Sequence, residues 1–372
     1  MIALSRPSIR RKDMDAVLSC MVSDRLGPGT IGDDLVTAVS TYLGVPGGIA
    51  LRERSRALGI ALSQLDLEPE SVILLDPLVP RSYHELIISM GLEPRYVDTI
   101  SGGATIDPAA VEREAGDAAA VITSTHLGFV PDMDRVAATG LAVIEDISQG
   151  MGSHTGEQRA GRYGRFALLA MEPESIITAG GGTLVLSRIK KERAALRRLA
   201  TELQSDALLP DMNAALGTTQ IKEIERYIAR RAEIASIYSR ALMRGKHRTI
   251  NQPGDAESVW FSFPVVVAGS SGEIQTYARS KGVETGRPFA DSVLSRYGVG
   301  AETELSSASI DNDEASDAGD VKVRHAPSIK TVPIVEFPNA TELLLRCVVL
   351  PLYPSLSGKE VEAVERVILS LP

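Results

Sequence analysis

The chain has 372 residues, 44% of them hydrophobic and 23% charged, with a net charge of −9 at pH 7. That is enough apolar material for a large buried core in more than one unit, and the acidic balance argues against a general nucleic-acid binder. Two cysteines, Cys20 and Cys347, stand in apolar runs outside any CxxC pattern; they read as small buried side chains, with no sign of an oxidising compartment.

The N-terminus, MIALSRPSIRRKDMDAVLSC, carries charges where a signal peptide needs an apolar centre. No stretch approaches the roughly 18 apolar residues of a membrane span, so a cytoplasmic protein without a membrane partner is expected. KDMDAVLSCMVS puts Met14, Val17, Leu18 and Met21 on one helical face, and SRALGIALSQL does the same with Leu58, Ala61, Leu62 and Leu65. Between such helices lie short apolar runs: VILLD ending at Asp76, AAVITS ending at Ser124 and LAVIED ending at Asp146. They read as buried strands of a mainly parallel sheet. Strand and helix in alternation imply an α/β layered fold with right-handed crossovers.

After FALLAM and TLVLS, the region from Lys190 to about Met243 reads as long helix, with Ile221, Ile224, Ile228, Ala232 and Ala235 at helical spacing. Beyond it the pattern changes. WFSFPVVVA and RCVVLPLYP read as strands, and SGKEVEAVERVILSL closes the chain as a helix with Ser357 and Glu360 as a capping box. The expected organisation is a large α/β domain over residues 1–244, including the bridging helices, and a smaller α+β domain over 245–372. The acidic stretch ELSSASIDNDEASDAGD, Glu304 to Asp320, cannot bury enough surface to offset its ordering entropy. It is expected to be a mobile loop, a bland linker or a lid.

FALLAMEPESIITAGGGTLVL, from Phe166 to Leu186, is laid out like the cofactor-bearing loop of a pyridoxal-phosphate enzyme, yet it holds no lysine. None occurs between Lys12 and Lys190. Five further segments, in order, resemble the DegT/DnrJ/StrS family of sugar aminotransferases: GLEPRYVD, THLGFVPDMD, VIEDISQGMGS, MNAALGTTQIKEIERYIARRAEIASIYSRAL and LLLRCVVLPLYPSLSGKEVEAVERVI. The resemblance implies a fold type I aminotransferase-like architecture. It also implies a homodimer with the active site at its interface, pyridoxal phosphate as cofactor and a nucleotide-linked keto-sugar as substrate.

A site of that kind needs a lysine amine for the Schiff base, a carboxylate for the pyridine nitrogen and phosphate donors at a helix N-terminus. By the resemblance, Asp146 is the carboxylate, Gln149 follows at the family's spacing, and Tyr83 is the nearest candidate to lie against the ring. At the lysine position the alignment puts Glu174 or Ser175, neither of which can form a Schiff base. Arg54 and Ser55 replace the family's Gly-Thr in the phosphate cup, where Ser55 still offers a hydroxyl. Arg52, Arg54 and Arg56 at a helix N-terminus either hold another anion or form a solvated face. Glu172 and Glu174 are either a buried general base or exposed turn carboxylates. No metal site is expected.

Three readings follow. The first is a repurposed sugar-aminotransferase homologue that binds a nucleotide-sugar. The second is an enzyme holding pyridoxal or pyridoxamine phosphate non-covalently on Asp146. The third is a non-catalytic dimeric partner or regulatory module.

Overall fold

A computed structural model describes residues 1–252, 254–299 and 332–372. The acidic stretch 304–320 lies outside the described residues. Helices α1 (Arg11–Val22) and α2 (Thr30–Leu43) precede an alternating run: β1 (Gly47–Leu51), α3 (Arg54–Ser63), β2 (Val72–Leu75), α4 (Arg81–Ser89), β3 (Glu93–Tyr96), α5 (Pro108–Glu114), β4 (Ala120–Ser124), α6 (Met133–Ala138) and β5 (Ala142–Asp146). A small hairpin, β6 (His154–Thr155) and β7 (Gln158–Arg159), leads to β8 (Phe166–Ala170) and β9 (Thr183–Ser187). Then come α7 (Lys190–Glu202), α8 (Asp211–Ile221) and α9 (Ile224–Leu242). The C-terminal part holds β10 (Ala256–Glu257), β11 (Phe263–Val266), α10 (Ser271–Ser280), α11 (Val293–Tyr297), β12 (Gly298–Val299), β13 (Val332–Pro333), α12 (Pro338–Arg346), β14 (Cys347–Leu350) and α13 (Gly358–Leu369).

The described residues build a seven-stranded sheet in the order β1-β9-β8-β5-β4-β2-β3. Its pairings are parallel except at β9, which runs against both β1 and β8. Strands such as AVITS and FALLA are buried at every position, because helices cover both faces of a parallel sheet. Alternate side chains divide between those faces. Ile73 and Leu75 join a core with Leu58, Leu62, Tyr83 and Ile87, while Leu74 packs with Val111 and Val136 on the other side.

The expected long helix is three helices. Pro210, without an N–H to donate, stands at the N-cap of α8, and the chain breaks again at Glu223, the N-cap of α9. Helix α9 belongs to two cores. Ile224 and Tyr227 pack with Leu35 and Leu169, whereas Ile234, Tyr238 and Leu242 pack with Phe263, Val348 and Val364. Between them Arg231, fully buried, donates through Nη1 to the carbonyls of Trp260, Phe261 and Leu352 at 3.0, 2.7 and 2.8 Å. Burial pulls its guanidinium down to about 10.

The apolar face read on α1 is an outer face. Met14, Leu18 and Met21 are each about half exposed, while Asp13 and Cys20 are buried. Asp13 accepts from Gln220 Nε2 at 3.0 Å, and Arg10 and Lys12 bind Glu223. Polar contacts therefore fix which side of α1 meets α8 and α9, and the methionine side is left outward.

Candidate functional site

Parallel strands deliver the residues that follow them to one edge of a sheet. Here the carboxyl ends of β2, β4, β5 and β8 converge on a cavity of about 370 Å³. Asp146 ends β5 and is 6% exposed. Its Oδ1 accepts from the backbone N–H of Ser148 at 3.0 Å and from the Ser148 hydroxyl. Its Oδ2 accepts from the Tyr83 hydroxyl at 2.6 Å. Tyr83 therefore does not present a face to the cavity as expected. It is fully buried on α4, and burial, with Asp146 beside it, pushes its hydroxyl well above the ordinary tyrosine range.

Arg54, the first residue of α3, lines the cavity. It makes no hydrogen bond or ion pair among the described residues. Burial alone would pull its guanidinium down; Asp146, with Tyr83, Glu172 and Glu174, more than reverses this. Arg52 and Arg56 are exposed and do not line the cavity, so the three arginines form no common cup. Ser55 is half-buried beside them, also outside the lining. Gln149 lines the cavity, and its Oε1 accepts the N–H of Leu127 at 2.6 Å. That bond steadies a left-handed residue, since Leu127 has φ 58°.

The loop between β8 and β9 settles which of the two aligned residues faces the cavity. Glu174, exposed, and Glu172, half-buried, both line it. The Ser175 hydroxyl turns back to the carbonyl of Ala170 at 3.3 Å. The loop stands on its own backbone. The N–H groups of Ala179 and Gly181 both donate to the carbonyl of Met171 at 3.1 and 2.9 Å, and Asn213 Nδ2 donates to the carbonyl of Ala179 at 2.7 Å. Gly180, Gly181 and Gly182 have φ of 68°, 121° and 98°, a left-handed run that only glycine enters cheaply. Among the described residues no lysine borders the cavity.

Sequence reading missed the carboxylate–imidazole pair of Asp76 and His126 at the same edge of the sheet. Asp76 follows β2 and is fully buried. Its Oδ1 accepts the N–H of Leu78 at 2.9 Å and lies 2.9 Å from His126 Nε2. His126 follows β4 and lines the cavity, with the Phe289 ring edge-on to it at 5.6 Å. Burial pulls its imidazole down, but Asp76 more than compensates and the net shift is upward. The Ser124 hydroxyl, buried in the same lining, has no partner among the described residues. The available signal was positional: Asp76 ends VILLD as Asp146 ends LAVIED.

A second cleft, of about 240 Å³, shares Gln149, Glu174 and Pro288 with the first and is lined by Arg6, Arg231 and Arg287. The Nε atoms of Arg231 and Arg287 lack partners among the described residues. No helix among those residues is long and apolar enough to cross a membrane.

A family model described as the DegT/DnrJ/EryC1/StrS aminotransferase family matches residues 7–318. A UDP-4-amino-4,6-dideoxy-N-acetyl-beta-L-altrosamine transaminase of Campylobacter jejuni is 24% identical over 262 residues, 64% of this chain and 69% of that one. The aminotransferase TlmJ of Streptoalloteichus hindustanus superposes with a TM-score of 0.82 at 19% identity, covering 100% of this chain and 98% of that one. A GDP-4-keto-6-deoxymannose-3-dehydratase with bound GDP-perosamine superposes at 0.79 and 16% identity, covering 99% and 100%. The architecture is thus that of the fold type I aminotransferases.

Proposed function

Because the chain belongs to the DegT/DnrJ/EryC1/StrS aminotransferase family, we propose that it binds a nucleotide-linked sugar at the carboxyl edge of its sheet without the Schiff-base chemistry of an ordinary transaminase. The observation that carries this reading is the lining of the cavity, which has Glu174 in the loop after β8 and no lysine among the described residues.

Pyridoxal phosphate is the cofactor the resemblance implies, and the residues present do not fit it as a covalently held group. Its aldehyde needs an amine. Both oxygens of Asp146 already accept hydrogen bonds from Tyr83 and Ser148. The long side chain of Arg54 stands where the family brings glycine backbone close to a phosphate. A nucleotide-sugar matches better. Its hydroxyls meet the polar side chains that line the cavity, and its phosphates meet the cleft lined by Arg6, Arg231 and Arg287.

The unit from residue 245 onward supplies Pro288, Phe289 and Ser292 to the cavity wall, and it is the half of the site that closes over the ligand. The outward apolar side of α1 serves a homodimer contact.

The test is a titration with pyridoxal phosphate and pyridoxamine phosphate, read by visible absorbance, then borohydride reduction and intact mass. Thermal shift with a nucleotide-sugar runs in parallel. The expected result is no saturable spectral change, no adduct, and a melting temperature that rises with nucleotide-sugar concentration. An adduct on one mapped lysine would overturn the reading and restore an ordinary transaminase. A saturable change without adduct would favour a cofactor held non-covalently on Asp146. No response to any of these ligands would favour a dimeric partner or regulatory module.

A further inference from the structure

Asp76 and His126 form a carboxylate–imidazole pair that the proposed binding role leaves without a task. A buried carboxylate facing an imidazole nitrogen fixes the tautomer. Asp76 can only accept, so Nε2 carries the proton and donates it across the 2.9 Å contact. Asp76 is itself held, since its Oδ1 also accepts the Leu78 N–H. The edge-on Phe289 ring limits how His126 can turn. Nδ1 is then the basic nitrogen, and it has no partner among the described residues, on a ring that lines the cavity. The Arg54 side chain, which makes no hydrogen bond or ion pair among the described residues, lines the same cavity. A basic nitrogen open to the cavity, with a guanidinium that makes no hydrogen bond among the described residues in the same lining, is the arrangement that removes a proton next to a carbonyl and stabilises the oxyanion formed.

We propose that His126, oriented by Asp76, is the proton-transferring base of the cavity, acting on the carbon next to the carbonyl of a keto-sugar ligand whose oxygen meets Arg54. This rests on the nucleotide-sugar reading above. The step balances without a cofactor. Nδ1 takes the proton from the carbon α to the carbonyl. The C–H electron pair forms a C=C bond, and the C=O pair moves onto oxygen beside the guanidinium. Return of a proton to the same carbon from His126 regenerates the ketone. Return of a proton from water to the opposite face, with the first proton leaving His126 to water, inverts that carbon. His126 is the catalytic residue and Asp76 a positioning residue.

The charged groups facing His126 are Asp76 after β2, Asp146 on β5 and Arg54 on α3. Glu172, Glu174 and Asp291, the last paired with Arg81 at 3.0 Å, line the same cavity. Asp76 holds the imidazole above the value burial would give it, so the base must lose its proton before it acts, and the rate should climb with pH to a plateau.

The experiment incubates the full chain with GDP-4-keto-6-deoxymannose in deuterated water and follows loss of the proton signals beside the carbonyl by NMR, with binding read separately by thermal shift. The expected result is exchange above the protein-free rate, reduced roughly 100-fold or more in H126Q, whose amide can still donate to Asp76. In D76N the midpoint of the pH–rate climb should move to lower pH; a merely structural Asp76 would lower the rate without moving the midpoint. Binding without exchange in the wild type would overturn the proton-transfer proposal while leaving the binding reading intact. Absence of binding would remove both. Wild-type exchange in folded H126Q would overturn the role of His126. Should H126Q not fold, the D76N midpoint decides, and an unmoved midpoint counts against the pair.

Discussion

Deleting one hydroxyl from each of two fully buried tyrosines should change stability in opposite directions. The Tyr83 hydroxyl donates to Asp146 Oδ2 at 2.6 Å, whereas the Tyr238 hydroxyl has no partner among the described residues. Phenylalanine keeps the ring in both places, including the edge-on contact of Tyr238 with Phe263 at 5.3 Å. A hydrogen bond to a charged group contributes about 1.5–3 kcal/mol, and losing it leaves a buried carboxylate short of a donor. For 372 residues, an unfolding entropy of about 2.1 cal/mol/K per residue gives roughly 0.8 kcal/mol/K. Y83F should therefore lower Tm by roughly 2–4 °C. Y238F removes a desolvated polar atom that bonds nothing, so its Tm should hold or rise. Scanning calorimetry of both variants against the wild type is the assay. Equal losses, or a larger loss in Y238F, would refute the claim that the Tyr83–Asp146 bond holds the site together.

Three other outcomes are expected. Gly48→Ala places a Cβ 1.8 Å from the Val185 carbonyl in the neighbouring strand; it should force β1 off β9 and cost at least about 3 kcal/mol in urea unfolding, and a wild-type midpoint would count against this packing. Glu223 is held down to about 2 by Lys12, with Arg226 and Arg10, against an ordinary value of 4.5. A carboxyl lowered in the folded state gives stability that is full above the ordinary value and lost as pH falls from about 4.5 towards about 2; E223Q should show a shallower acid loss over that window in urea midpoints, and an identical slope would count against the cluster. L18E with M21E, at positions about half exposed on α1, should keep the native circular dichroism spectrum and convert a dimer to a monomer in light scattering, with the Tm losing only what dimerisation contributed; a variant that stays dimeric would move the contact elsewhere.

The strands were legible in the sequence because a sheet covered on both faces requires continuous apolar runs, and VILLD, AAVITS and LAVIED show them. Asp146 was legible by its place at the end of such a run. The partners that define its environment were not. Tyr83 and Asp146 are 63 positions apart, and His126 and Asp76 are 50 apart, so no local spacing links them. The arginine triplet, open in the sequence between an anion site and a solvated face, divides for a related reason: neighbouring residues at a helix start point in different directions, so Arg54 lines the cavity while Arg52 and Arg56 are exposed. Periodicity on α1 revealed an apolar face but not what covers it. Polar contacts of Asp13 and Lys12 turn that face outward.

The loop between β8 and β9 keeps its shape through the Met171 carbonyl, Asn213 and three left-handed glycines. Glu174 contributes no hydrogen bond to it and is exposed. Natural selection for a folded protein therefore has no hold on that position. A substitution there leaves the loop's own hydrogen bonds in place, so the scaffold persists unchanged. Only demand for a particular chemistry can fix the residue, so position 174 records what the cell has asked of the site rather than what the fold requires.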